Sequence, residues 1–164
     1  QFISVRKEGN RTFVHSVAIG LGNSDGVGSI ASETLTFYEV KDKKLINIYS
    51  AKGIGGNLNL IGGKAYFVVG ADVYRYLGGS FAKQFSVQES NFNGAITGRS
   101  EVDIFIHMKD GIAHYNGEDI RYLFSFPRNS INLDKDSVFF EKEVFFCGLS
   151  RDFKNIVLHG RQNE

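Results

Sequence analysis

The sequence predicts an all-β fold, a β-propeller of about four blade repeats, and three observations carry that prediction. Apolar and polar residues alternate with a period of two in short runs, so successive side chains point to opposite faces of a sheet. Glycine-containing turns separate the runs and supply the positive φ that tight hairpins need. The same order of run and turn returns along the chain: Tyr76 and Tyr115 lie 39 residues apart, as do Gly78 and Gly117, and Tyr38 lies 38 residues before Tyr76. A period of that length built from short strands is one propeller blade.

In chain order, Gln1-Phe2-Ile3-Ser4-Val5 reads as the last run of a repeat whose beginning is missing. Thr12 to Gly20 is an inner strand of the first full repeat, and Leu21 to Glu33 is the longest loop in the chain. Loops longer than their repeat requires tend to carry function, although a tolerated insertion looks the same. Leu35 to Val40, a turn at Lys41-Asp42-Lys43 and Lys44 to Ser50 continue that repeat. Gly53 to Gly63 reads as a crossing into the next repeat, because no helix follows it to make a phosphate cradle. Ala65 to Gly70, Val73 to Tyr76 and Ser80 to Val87 form the second repeat, and Ser90 to Arg99 is the next crossing.

The third repeat is the clearest. Val102, Ile104, Ile106 and Met108 alternate with Asp103, Phe105 and His107, Lys109-Asp110-Gly111 turns, Ile112 to Tyr115 runs back, Asn116-Gly117 turns again, and Ile120 to Phe126 closes the meander. After a crossing at Pro127 to Leu133, Val144 to Gly148 and Asn155 to His159 form the last copy, which lacks a third run. The expected repeats are therefore about 6–50, 51–87, 88–126 and 127–164 in a single domain spanning residues 1–164. The N-terminal strand 1–5 is expected either to complete the last blade and close a four-bladed ring, or to belong to a piece of a larger propeller with further blades.

Composition narrows the function. Hydrophobic content of 42% and charged content of 23% are those of a folded domain, not a disordered one. Nineteen basic and eighteen acidic residues give a formal charge of +1 without a basic stripe, so nucleic acid is not an expected partner. No apolar segment is long enough for a membrane-spanning helix. Cys147, the only cysteine, excludes an intrachain disulfide and a cysteine zinc site, and its apolar run makes it an inert thiol. A chain beginning at Gln1 is expected to be processed or shortened, with export open.

His15, His107, His114 and His159 lie within strand runs with no metal-ligand spacing, so no metal and no cofactor is expected. Glycoside hydrolysis needs two facing carboxylates, one with a raised pKa. Asp72, Asp103, Asp110, Asp119, Asp134, Asp136 and Asp152 are available, but most sit in turns, where Asp serves the local backbone. No Gly-x-Ser-x-Gly elbow presents a serine nucleophile. No catalytic residue is nominated.

In a meander, hairpins alternate ends, so the loops between first and second runs are expected on one face. That face would carry Asn23, Ser24, Asp25, Asp72, Lys109, Asp110, Arg151 and Asp152, joined by Arg128 and Asn129 from crossings. Its mixed-sign polar character suits a glycan or protein partner.

Val102-Asp103-Ile104-Phe105 followed by Lys109-Asp110-Gly111-Ile112-Ala113-His114-Tyr115-Asn116-Gly117 resembles the blade repeat of bacterial exported propeller proteins. Gly63 to Tyr76 is similar to a hemopexin-type repeat, and Ser150-Arg151-Asp152 with Asn155 to the Asp-box turn of sialidase-like propellers. These resemblances imply a propeller, with an extracellular or periplasmic location expected, and no specific activity. The function expected is a non-catalytic glycan- or protein-binding module on the face of the 21–33 loop. The alternatives are a sialidase- or glycosidase-like propeller and a hemopexin-like ion- or protein-binding ring.

Overall fold

A computed structural model describes residues 2–20, 32–88, 91–127, 131–140, 143–150, 152 and 154–161. The described residues form fifteen strands and no helix, arranged as four antiparallel sheets. No described helix is long and apolar enough to cross a membrane.

The first sheet contains β1 (Phe2–Glu8), β2 (Arg11–Gly20), β3 (Ser32–Lys41) and β4 (Lys44–Lys52), in that order. The second contains β5 (Gly56–Ile61), β6 (Lys64–Val69), β7 (Asp72–Tyr76) and β8 (Phe81–Ser86). The third contains β9 (Phe92–Ser100), β10 (Asp103–Met108), β11 (Gly111–Tyr115) and β12 (Ile120–Ser125). The fourth has three strands, β13 (Ile131–Phe140), β14 (Glu143–Ser150) and β15 (Asn155–Arg161). Every described pairing joins strands adjacent in the chain.

Two sequence expectations are corrected. The N-terminal strand does not complete the last sheet: Phe2 to Glu8 pairs with β2 across the two-residue turn Gly9-Asn10, leaving the fourth sheet with three strands. A hairpin this short closes at far smaller entropic cost than a pairing across the whole chain. The crossings at 53–63 and 90–99 contain strands, so the meander has four strands and not three. Gly62 and Gly63, both at positive φ (53° and 75°), make a tight hairpin between β5 and β6, and Asn57 to Ile61 is paired along its length. Likewise β9 begins at Phe92, and β13 begins within the expected crossing 127–133.

The repeat is visible in the geometry. In each four-stranded sheet the pairing of third with fourth strand slips by one residue, leaving Ile48, Gln84 and Leu123 as extra residues of β4, β8 and β12. Gln84 and Leu123 keep the 39-residue offset of the tyrosines. A bulge strengthens local twist and bends its strand, so the fourth strands are shaped alike.

The chain divides into two compact units, residues 1–86 and 87–164. In the first unit β1 lies beside β5, and Phe13, Leu35, Phe37, Leu58, Phe67 and Tyr76 form the buried core. Its aromatic rings meet edge to face, as in Phe13–Phe67 (5.2 Å, 88°) and Phe37–Phe67 (5.1 Å, 80°), the arrangement their quadrupoles favour. In the second unit β9 lies beside β13, and Phe105, Ile112, Phe126, Val144 and Phe146 form the core. Ser137 Oγ donates to Thr97 Oγ1 at 2.9 Å, tying β13 to β9.

Candidate functional site

The second unit contains a cavity of about 900 Å³ between its two sheets. Phe105, Ile112, Val144 and Phe146, all buried, make an apolar floor. At the lip stand Val102, Leu123 and Phe124, which are 56%, 59% and 43% exposed.

One wall is polar and centred on Asp103. Residues 105 and 114 are partners across the β10–β11 hairpin, which makes Asp103 and His114 diagonal neighbours on one face. Asp103 Oδ1 lies 2.9 Å from His114 Nε2, and its other oxygen accepts from Arg99 Nε. A second bulge explains Arg99: Asp103 pairs with Ser100 and Ile104 with Gly98, so Arg99 is the unpaired residue, turned toward the carboxylate. Burial pushes the Asp103 carboxyl upward, but hydrogen bonds from His114 and Arg99 outweigh it and hold the group below the usual carboxylate range. An ionised carboxylate only accepts, so His114 Nε2 is the donor. Arg99 also lies over the Phe139 ring of β13, at 5.7 Å.

The opposite wall is β15, through Leu158, His159, Gly160 and Arg161. The His159 ring stacks on Phe145 (4.6 Å, 7°) and lies 3.7 Å from Glu143 Oε1. Among the described residues the cavity lining holds one carboxylate, Asp103. That arrangement can bind and orient, but it offers no second carboxylate for general acid–base work. Among the described residues no cluster of three His, Cys, Asp or Glu side chains could hold a metal ion.

Of the residues nominated from the sequence, those that are described lie elsewhere. Asn23, Ser24, Asp25 and Arg151, with Arg128 and Asn129, fall outside the described residues. Asp72 opens β7, Lys109 and Asp110 form the β10–β11 turn, Asp152 lies in the β14–β15 connection, and none of them lines the cavity. Asp72 accepts from Ser86 Oγ (2.6 Å) and Tyr74 Oη (3.0 Å) and pairs with Lys83 (2.9 Å); the Ser86 bond first, then Lys83, holds its carboxyl low. Asp110 accepts from Asn91 Nδ2 (2.5 Å) and Tyr122 Oη (3.0 Å), and Asp152 pairs with Lys154 at 2.8 Å. Lys109 is exposed, and its backbone N–H donates to Asn91 O. Asp72 and Asp110 thus tie their hairpins to β8 and β12, while the Asp152–Lys154 pair stays within its own connection. Cys147 is exposed on β14, not buried as its apolar run implied, because the strand alternates and Phe146 takes the inward side.

No family model, curated protein or solved structure matches the chain.

Proposed function

We propose that the chain is a non-catalytic binding module built of propeller blades, and that it holds a protein partner in the cavity of its second unit. The cavity is the observation that carries the binding reading. Its volume suits an inserted side-chain cluster, and its floor is apolar with a few fixed polar groups. Between glycan and protein, the lining favours protein: its aromatic carbocycles are Phe, no Tyr or Trp lines it among the described residues, and its exposed rim sets Val102, Leu123 and Phe124 beside the polar Asn116, His159 and Arg161. Apolar lips around a desolvated pocket are how protein interfaces seat their anchors.

The propeller reading is supported by four sheets that are each a sequential meander, by first strands lying side by side within each unit, and by the recurring fourth-strand bulge. The resemblance of residues 102–117 to exported propeller repeats supports an extracellular or periplasmic setting.

Small-angle scattering tests the architecture: one compact ring of this length has a radius of gyration of about 15 Å. A clearly larger value with a two-lobed distance distribution removes the ring. Selection of a random peptide library against the chain tests the partner. Peptides sharing a large apolar residue, with binding weakened by Phe124→Ala, support the proposal; a glycan panel that binds where peptides do not overturns it.

A further inference from the structure

The hairpins of the first unit gather charge that is scattered along the sequence. In the first sheet Glu8 pairs with Arg11, Thr12 with Val40 and Lys41 with Lys44, so the β1–β2 and β3–β4 turns leave the sheet at one end. In the second, Ile61 pairs with Lys64, and the antiparallel run of β6 against β7 brings the β7–β8 turn beside the β5–β6 turn. Two cations join these ends. Arg75 donates to Glu8 Oε1 (2.6 Å) and to the Ala65 carbonyl, and the Arg11 guanidinium lies over the Tyr76 ring at 5.2 Å. One end of the unit therefore carries all four turns.

That end is cationic. Residues 7–12, 39–44, 61–64 and 75–81 hold seven Lys and Arg against three carboxylates, although the whole chain has a formal charge of only +1. Glu39 is held by Arg11 (2.8 Å) and Lys41 (3.2 Å), and Glu8 by Arg75. Lys43 and Lys44 are exposed and have no carboxylate partner among the described residues. Bare hydrocarbon stands among these charges: Leu77 of the β7–β8 turn is 66% exposed, and Leu45, next to Lys44, is 58% exposed.

The tip of the β3–β4 turn adds an independent sign. Asp42 and Lys43 are the two non-glycine residues at positive φ (50° and 61°) among the described residues, whereas Gly62 and Gly63 take that conformation in the β5–β6 turn. A hairpin turn of this kind favours glycine at its second central place, so the chain puts a cation at the tip at a cost in backbone strain.

We infer that this end of the first unit docks on an anionic lipid bilayer, with Lys43 and Lys44 among the headgroups and Leu77 reaching the acyl boundary. Lysines are compact, strongly hydrated point charges suited to a diffuse negative surface, while the two arginine forks that could grip a single phosphate are engaged within the protein. Tyr76 and Phe81, the aromatic residues of these segments, pack in the core and offer no ring for a base to stack on. Basic residues with exposed aliphatic ones give attraction to anionic headgroups together with apolar burial. Every group named belongs to the first unit, so the cavity of the second plays no part.

The test uses the full chain and vesicles of phosphatidylcholine with and without phosphatidylglycerol. Only the mixed vesicles are expected to carry the chain down in sedimentation, and salt should weaken that binding. Lys43→Gly should melt at or above the parent temperature, because glycine takes the turn without strain, yet bind about five-fold more weakly, the loss of one charge at an anionic surface. A lysine that serves only the fold would not move stability and binding in opposite directions. Leu77→Ser should lower affinity by about ten-fold and leave the salt dependence unchanged. The chain has no tryptophan, so Leu77→Trp places a single reporter whose emission should shift to shorter wavelength on the mixed vesicles. Equal binding to both kinds of vesicle, undiminished binding by Lys43→Gly or an unshifted emission overturns the proposal. Absence of binding to mixed vesicles overturns it too, and retention on poly-glutamate in that case makes an acidic protein the partner of this end.

Discussion

Tyr49 of β4 and Phe81 of β8 meet at 5.8 Å between ring centroids, with their planes 68° apart, and so join the fourth strands of the first unit's two sheets. The pair sits against Phe37, Phe67 and Tyr76, so it belongs to the core and does not merely decorate it.

Phe81→Ala is therefore expected to open a void in the first unit resembling that of the second. Because Phe81 is only partly buried, the cost should fall near the low end for such truncations, about 3 kcal/mol. A double-mutant cycle with Tyr49→Ala should return a coupling of about 0.5–1.5 kcal/mol. Urea denaturation of the four proteins gives both quantities, and zero coupling would show that the rings do not support each other.

Gly111 should tolerate no side chain. A Cβ there would lie 2.1 Å from the Phe124 carbonyl oxygen, which is backbone of the paired strand β12 and cannot step aside without breaking the pairing. Gly111→Ala is expected to destabilise the chain by about 2–4 kcal/mol, in the range of severe overpacking. At Gly63, where nothing lies within 4 Å but φ is +75°, alanine should cost only the left-handed conformation, about 1–2 kcal/mol. Thermal melting of the two variants should rank them in that order.

Much of this arrangement was legible in the sequence. The period of two in Val102 to Met108 and the Asn116-Gly117 turn gave β10 to β12 nearly to the residue, although β10 is buried on both faces, with Phe105 and His107 as enclosed as Ile104 and Ile106. The first strands of the meanders were missed where glycine blurs the period: β5 is flanked by Gly55, Gly56, Gly62 and Gly63, and β9 contains Gly94 and Gly98. Asp103 and His114 were each visible as residues, and a hairpin register makes them diagonal neighbours. Their third partner was not, since Arg99 reaches the carboxylate through a bulge that no local pattern announces.

Acid should weaken the fold through Asp103. Its carboxyl titrates lower in the folded chain than in the unfolded one, so the group contributes stability above the ordinary carboxylate value of about 4. That contribution is lost as pH falls from there through the folded value. Asp103→Asn should accordingly be less stable than the parent at pH 7, and the gap should narrow in acid. Denaturant midpoints measured from neutral pH down to about pH 2 follow this directly, and a gap independent of pH would contradict it.

Asp72 should behave as a fastener. Asp72→Ala removes the acceptor of Ser86 and Tyr74 and the partner of Lys83, joining β7 less firmly to β8. A loss of about 1–2 kcal/mol is expected by denaturation. Binding of the selected peptides should be unchanged at temperatures where the variant is folded, and reduced binding there would return Asp72 to the ligand face.

Since each described strand pairs only with its neighbour in the chain, no sheet has to wait for a distant segment before it can form. Loop closure, which slows most all-β proteins, is here a matter of short turns within each sheet. Order of synthesis can thus become order of assembly: a meander emerges, closes its own ladder, and finds the next one ready to cover its apolar side.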